Sequence, residues 1–140
     1  MTDLETYLEQ QLAAAWRWGG DGPDCILAAA NWVWQRTGVD PAAEIRWKYH
    51  DLRSAHRLIK RNGGMAELIS RQMSKHGFPL TTYPEAGDVG LVDAPTHLSA
   101  NGRVFSTLVG AICLGPLWCI KTEAGHHIFE MRPVLAWQIC

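Results

Sequence analysis

At Pro79 the sequence changes from helix-like to strand-like patterns. Before this residue, apolar side chains recur at helical spacing in segments that end at glycine. After it, short β-branched and aromatic runs lie between proline and glycine turns. Because the two kinds of pattern do not alternate, the strands should pair with one another in a single antiparallel sheet. The order predicts an α+β fold, with N-terminal helices packed on a C-terminal antiparallel sheet.

The first two expected helices flank a glycine-rich segment, GGDGP. Thr2 and Glu5 match a capping box, which predicts a helix from there to about Trp18. Asp24 can cap a second helix over residues 25–36. Since this second helix is apolar on nearly all sides, it should be the most buried one and should pack on the sheet.

Three shorter helices should follow. Asp40-Pro41 should open the third, with Glu44 placed to reach back to its first turn. The fourth should run from residue 52 to the Asn62-Gly63-Gly64 turn, and the fifth from residue 65 to His76-Gly77. The expected strands cover residues 89–92, 104–114, 117–121, 127–131 and 134–139. At 140 residues and 47% hydrophobic content, the chain suits one domain over residues 1–140.

The charge of the chain is small in sum but unevenly spread. Its formal net charge of −1 gives no reason to expect nucleic acid or an anionic membrane as partner. Residues 46–75 nevertheless carry eight basic and two acidic side chains, a net charge of +6. Four of these bases lie on the expected fourth helix, which has no aromatic residues for stacking on bases: Arg53, Arg57, Lys60 and Arg61. We therefore expect contact with an acidic partner protein and not with nucleic acid.

The N-terminal sequence and the cysteines favour a reduced, cytoplasmic protein without cofactors. The start, MTDLETYLEQQ, is acidic where a secretory signal would be basic and then apolar, and no run has the length of a membrane span. The four cysteines form no CxxC pair, so we expect free thiols, no disulfide and no bound metal. A zinc site is the alternative, but the spacing of its conceivable ligands matches no structural zinc pattern: Cys113, Cys119, His126 and His127.

Cys25 is the residue that could carry chemistry. The N-terminus of a buried helix stabilises a thiolate through its unpaired N–H groups and its dipole. Asp24, or the amides near Cys25, could cap the helix or help to hold an oxyanion, and the glycine-rich segment would let a substrate approach. The alternative is that Cys25 is a small buried helix residue, which is how most free cysteines behave.

Three motifs resemble those of NlpC-type cell-wall peptidases. WGGDGPDC, which ends at Cys25, resembles the glycine-rich approach to their Asp-Cys pair, and GDVGLV, which includes Asp88, resembles the strand that opens their sheet. VGAICLG, which begins at Val109, looks like the strand that starts with their catalytic histidine. The resemblance implies a papain-like, NlpC-type fold with Cys25 as the nucleophile, Asp24 next to it in the chain, and Asp88 on the strand that opens the sheet as a further site residue.

A closer similarity is to a family encoded in the tail modules of phages and of gene-transfer-agent-like elements. It rests on the motifs PDC, DPAA, GDV, AICLG and AWQI and on the arginine-rich helix that leads to Gly63-Gly64. These motifs are spread over nearly the whole chain. This similarity implies a protein of the virion tail that is assembled in the bacterial cytoplasm and has other tail proteins as partners.

The sequence departs from active NlpC-type peptidases at the histidine. A cysteine peptidase needs an imidazole within hydrogen-bond reach of the sulfur. At that strand position the sequence offers only residues that cannot act as a base near neutral pH: Thr107, Leu108 and Val109. The other candidates are His126 and His127 on a later strand and His97 in a loop. Since successive strand residues point to opposite faces, at most one of His126 and His127 can face Cys25.

Three functions follow from these residues. The first is a structural protein near the distal end of a phage-type tail, with a degenerate and catalytically silent peptidase-like domain. The second is an active peptidoglycan amidase or endopeptidase that uses Cys25 during genome delivery. The third is a module that binds a peptidoglycan peptide without cutting it. An enzyme needs an imidazole close to Cys25, whereas a binding module needs an open groove there.

Overall fold

A computed structural model of the chain describes residues 2–94, 107–123 and 125–139. The helices of these residues are α1 Asp3–Tyr7, α2 Leu27–Thr37, α3 Leu52–Arg61 and α4 Met65–Lys75, and a π-helical segment, Leu8–Leu12, continues α1. The strands are β1 Val89–Ala94, β2 Thr107–Cys113, β3 Trp118–Thr122, β4 Gly125–Phe129 and β5 Leu135–Trp137. Helices precede strands, so the α+β prediction is confirmed.

The five strands form one sheet in the order β4-β3-β2-β1-β5, and every neighbouring pair is antiparallel. Residues 79–81 run along the outer edge of β5. Leu80 bridges to Trp137, and the Thr81 N–H donates to the Ala136 carbonyl at 2.9 Å. These bonds satisfy polar groups of an edge that would otherwise be open to pairing with another chain.

Helix α2 packs on one face of the sheet. Its Trp32 and Val33 are buried in one cluster with Leu91 of β1 and Ile112 of β2. The Trp32 indole N–H donates to the Gly87 carbonyl at 2.7 Å, so this large side chain leaves no polar atom unsatisfied. Burial of one large apolar side chain contributes about 1.5–3 kcal/mol, and this contact is therefore a main source of stability.

The first helix is shorter than the sequence predicts. The capping box of Thr2 and Glu5 is present, but regular helix ends at Tyr7 and the π-helical segment ends at Leu12, well before Trp18. Residues 13–18 form turns and irregular structure, in which the Arg17 N–H donates to the Pro23 carbonyl of the following loop at 3.1 Å. The expectation of a helix up to Trp18 is therefore wrong, and helical spacing alone did not extend the helix through this segment.

The predicted third helix is a series of turns. The Asp40 carboxylate accepts from the Ala42 N–H at 3.0 Å and also binds the Arg46 guanidinium. Glu44 does not reach back to the first turn but contacts His76 Nε2 at 2.6 Å. The fourth and fifth expected helices are confirmed as α3 and α4.

The predicted strands are confirmed as β1 to β5, with ends that differ by a few residues. Residues 104–106 of the expected second strand lie outside the described part of the chain. The last strand ends at Trp137, after which the Gln138 N–H continues the edge pairing with the Pro79 carbonyl and the Ile139 N–H donates to the Asp88 carboxylate. Within the described residues, none of the helices combines the length and the apolar character that a membrane crossing requires.

Candidate site at the Asp24–Cys25 turn

Asp24 is fully buried and is the centre of the candidate site. Its Oδ1 accepts from the N–H groups of Ile26 and Leu27, both at 2.8 Å. Its Oδ2 accepts from the Gly19 N–H at 3.0 Å and from the Tyr49 hydroxyl at 2.6 Å. A buried carboxylate is tolerated only when hydrogen bonds replace its lost water, and these four bonds do so.

The predicted cap at Asp24 is present, but α2 starts two residues later than expected, at Leu27. Cys25 therefore lies in a turn before the helix and not in its first position. The Asp24 carboxylate occupies the Ile26 and Leu27 amides. These are the groups that would otherwise stabilise a thiolate or an oxyanion at this helix end, so the expected electrostatic assistance goes to Asp24 instead.

The glycine-rich segment is packed against the protein itself. A Cβ at Gly19 would overlap the carbonyl oxygen of Tyr49, and a Cβ at Gly20 would lie 3.0 Å from the Trp47 ring. The Arg46 guanidinium donates to the Gly20 carbonyl at 2.9 Å. The expectation that these glycines admit a substrate backbone is therefore replaced by a different role, since they admit the backbone of residues 46–49.

Cys25 joins α2 to the sheet through its main chain. The Gly110 N–H of β2 donates to the Cys25 carbonyl at 2.9 Å. A Cβ at Gly110 would come within 2.8 Å of the same oxygen, so only glycine allows this approach without a shift. The partly buried Cys25 side chain packs against the apolar cluster on the sheet face opposite α2, which includes Val109 and Ile120.

The surroundings of the Cys25 thiol disfavour the thiolate. Burial raises the pKa of this thiol, and the negative charges of Asp24 and Glu123 raise the pKa further. A cysteine nucleophile needs the opposite shift, which neighbouring positive charge or a free helix N-terminus supplies. At neutral pH the thiol is therefore protonated.

The two histidines of β4 lie on opposite faces of the sheet, as strand alternation predicts. His126 is exposed and stands opposite Lys121 of β3, whereas His127 stands opposite Ile120. His127 thus shares the face on which the Cys25 side chain packs. Its Nε2 lies 3.0 Å from the Thr122 hydroxyl oxygen, and its ring stacks on Phe129 with 5.9 Å between centroids. Among the described residues, no histidine hydrogen-bonds the Cys25 sulfur.

Two further residues of the expected site are only partly covered by the structure. His97 lies outside the described residues. Thr107 begins β2, where it stands opposite Ala94 of β1.

A comparison with protein-family models identifies the family. The model described as a domain of unknown function, DUF6950, matches residues 1–139. The chain belongs to the DUF6950 family. The comparison with curated proteins found no match, and neither did the comparison with solved structures. The chemistry of this DUF6950 chain is therefore argued from its own residues.

Asp88 of the DUF6950 chain is buried, and its hydrogen bonds give it a structural role. Its carboxylate accepts from the Glu85 N–H at 2.8 Å and from the Ile139 N–H at 3.3 Å, and its carbonyl accepts from the Cys113 N–H at 2.8 Å. The residue thus ties the entry to β1, the end of β2 and the C-terminal segment together. It makes no hydrogen bond to Asp24 or Cys25, so the structure does not unite the expected acidic residues in one site.

The described cysteines of this DUF6950 chain are free thiols: Cys25, Cys113 and Cys119. Cys140 lies outside the described residues. Cys113 and Cys119 belong to clusters on opposite faces of the sheet, so they cannot ligate one ion together. Within the described part of the chain, no three His, Cys, Asp or Glu side chains are placed to hold a metal ion.

Arg46 and Tyr49 complete the site and were not expected from the sequence. Arg46 is buried and binds Asp40 through two hydrogen bonds, of 2.8 and 2.9 Å, with its guanidinium 4.9 Å from the centre of the Trp34 ring. Burial raises the pKa of the Tyr49 hydroxyl, as does Asp24, so this hydroxyl remains a donor. A buried Asp24 needs donors, but no local pattern indicates that residues 46–49 supply them.

Proposed function

We propose that this DUF6950 chain is a structural protein of the distal end of a phage-type tail, built on a degenerate papain-like, NlpC-type domain. Its partners are other tail proteins, and its location is the virion tail after assembly in the bacterial cytoplasm. The tail assignment is supported by the motif similarity that runs from PDC to AWQI. The NlpC-type assignment is supported by the Asp-Cys turn that precedes a buried helix and contacts a strand of an antiparallel sheet.

The environment of the Cys25 sulfur is the main support for a catalytically inactive domain. Burial and the charges of Asp24 and Glu123 all raise the pKa of the thiol. The histidine on the same sheet face, His127, is bound to Thr122. Loss of the base from a nucleophile–base pair costs several orders of magnitude in rate, so Cys25 alone does not sustain hydrolysis. Its position instead serves the contact between α2 and β2.

Exposed aromatic side chains support a role in assembly. Trp47 is 73% exposed and Tyr83 is 86% exposed, although side chains of this size are usually buried. Tryptophan and tyrosine are enriched at protein–protein interfaces, where they carry much of the binding energy. In a tail, neighbouring subunits would cover such residues.

Hydrolysis of peptidoglycan tests the inactive reading. The purified wild-type protein and the Cys25→Ala, His126→Ala and His127→Ala variants are incubated with peptidoglycan, and released stem peptides are measured by mass spectrometry. We expect no release above buffer from any of them, while an active NlpC-type peptidase in the same assay releases peptides. Release by the wild type that is lost in Cys25→Ala and in one histidine variant would establish the enzyme instead.

Two further measurements address the place of the protein. Mass spectrometry of tail particles purified from a strain that encodes the chain should find it in a fixed ratio to other tail proteins. Its absence from such particles would overturn the tail assignment. Co-sedimentation of the inactive protein with insoluble peptidoglycan, lost on addition of free stem peptide, would favour a cell-wall binding module over a scaffold.

A further inference from the structure

Three basic residues form a single row on the exposed face of α3. Arg53, Arg57 and Lys60 are spaced by four and three residues, so they lie on one side of the helix. All three are exposed, whereas Ala55 on the opposite side is buried. The row extends over about 10 Å, since a helix rises about 1.5 Å per residue. We refer to Arg53, Arg57 and Lys60 as the cationic row.

The acidic residues around the row are already engaged. Residues 40–75 contain only four of them, and each contacts another group: Asp40 with Arg46, Glu44 with His76, Asp51 with Ser54, and Glu67 with Arg71. No member of the cationic row makes a salt bridge within residues 2–94, 107–123 and 125–139. The charge of Asp51 interacts with that of Arg57, but no carboxylate of the described residues pairs directly with the row, so an anionic partner can bind it without breaking an ion pair.

The arrangement is unfavourable for the isolated helix. Like charges three and four residues apart on one helix repel each other and destabilise it. A facing set of carboxylates would relieve this repulsion and would gain charge-assisted hydrogen bonds from the arginines. Relief of this repulsion therefore favours the binding of an anionic partner.

We infer that the cationic row binds an acidic helix of a partner protein, with carboxylates at the matching spacing of four and three residues. This inference rests on the proposed function, in which that partner is another tail protein. A helix with glutamates at positions 0, 4 and 7 presents them in one row of the same length, so all three pairs can form together. Binding to the row should therefore depend on the spacing of the partner's carboxylates as well as on their charge.

A short acidic segment fits this surface better than a long polyanion does. The first 45 residues carry seven acidic and two basic side chains, and the whole chain has a net charge of −1. A long polyanion gains little general attraction from a chain with this net charge. Three phosphate contacts would also release few counterions, which limits the affinity for nucleic acid.

The test uses the full chain and a labelled helical peptide with glutamates at positions 0, 4 and 7. Its isomer, with the same residues but glutamates at positions 0, 2 and 5, is the control peptide. Fluorescence anisotropy at low salt should show binding of the first peptide and at least about tenfold weaker binding of the isomer. The triple variant Arg53→Ala, Arg57→Ala, Lys60→Ala should lose about tenfold in affinity for the first peptide.

A variant with the same loss of charge elsewhere is the matched protein control. Arg17→Ala, Arg36→Ala, Arg132→Ala removes three exposed bases outside the row and should change the affinity by less than about twofold. Equal binding of the two peptides, or equal loss in the two triple variants, would overturn the inference. Tighter binding of an oligonucleotide or of phosphatidylglycerol vesicles than of the peptide would also overturn it, and so would a salt-sensitive dimer in sedimentation. In each of these cases the row would be assigned to nucleic acid, to membrane or to a second copy of the chain, respectively.

The outcomes separate this inference from the proposed function. Peptidoglycan hydrolysis with intact peptide binding contradicts the inactive scaffold alone. Absence of peptidoglycan hydrolysis together with absence of peptide binding contradicts only the inference on the cationic row.

Discussion

At the scale of single residues, Asp24 has the most exacting environment in the site. It is fully buried, and its carboxylate receives hydrogen bonds from Gly19, Ile26, Leu27 and Tyr49. The sequence predicts its capping role, because an aspartate before an apolar helix is a common cap. It could not predict Tyr49 as a donor, since 25 residues separate the two.

Asp24→Ala should destabilise the protein by about 3 kcal/mol or more, because three buried N–H groups and one hydroxyl lose their acceptor. Tyr49→Phe removes only one of these donors and should cost about 1 kcal/mol. Urea unfolding followed by circular dichroism measures both. Similar values for the two variants would show that the carboxylate is not the centre of the network.

Glu44 should make stability depend on pH in acid. Burial raises the pKa of its carboxyl, but hydrogen bonds from His76, Gln72 and Lys75 and the charge of His76 outweigh this, so the pKa is lowered on folding. The stabilisation is present above the unfolded-state pKa of about 4.3 and is lost as pH falls through the lower folded-state value. The difference in unfolding free energy between the wild type and Glu44→Gln should therefore shrink from pH 7 to pH 3.

Glu67→Gln is the control for this pH dependence. Glu67 pairs with Arg71 at 3.4 Å on the surface, where ion pairs contribute about 0–1 kcal/mol. Its difference from the wild type should be small at both pH values. A larger change for Glu67→Gln than for Glu44→Gln would contradict the assignment.

At the scale of elements, the sequence is most informative where local pattern and tertiary contacts agree. Helices α3 and α4 end where glycine turns predict, and their apolar residues face the core. The first and third predicted helices are not formed, and in both segments a backbone or capping group bonds to a residue six positions further along the chain. Arg17 bonds to Pro23, and Asp40 bonds to Arg46, neither of which is visible from helical spacing.

The glycine-rich segment gives a matched pair of substitutions. Gly19 and Gly38 have similar positive φ values, 70° and 78°, so an alanine suffers about the same backbone strain at either position. A Cβ at Gly19 would overlap the Tyr49 carbonyl, whereas a Cβ at Gly38 has nothing within 4 Å. Gly19→Ala should therefore destabilise by about 2 kcal/mol more than Gly38→Ala. Equal unfolding free energies would show that residues 46–49 move away freely.

At the scale of the whole molecule, the reactivity of the thiols measures how well the folded protein protects the two faces of the sheet from solvent. Burial raises the pKa of Cys25 and Cys113, and it raises the pKa of Cys119 to about 11. Native protein at pH 8 should therefore react with iodoacetamide much more slowly at these residues than glutathione does. In urea all four cysteines of the chain should react. Mass spectrometry of tryptic peptides assigns the sites, and rapid native labelling of Cys25 would contradict a protonated thiol at this position.

The hydrogen bond between Gly110 and Cys25 is made entirely by main-chain atoms. It therefore forms with any residue at position 25, and what the fold requires there is a carbonyl and not a sulfur. The sequence requirement lies at position 110, where the Cβ of any other residue would come too close to the Cys25 carbonyl oxygen. The side chain at position 25 can therefore change by a single base substitution while the contact between this turn and β2 persists.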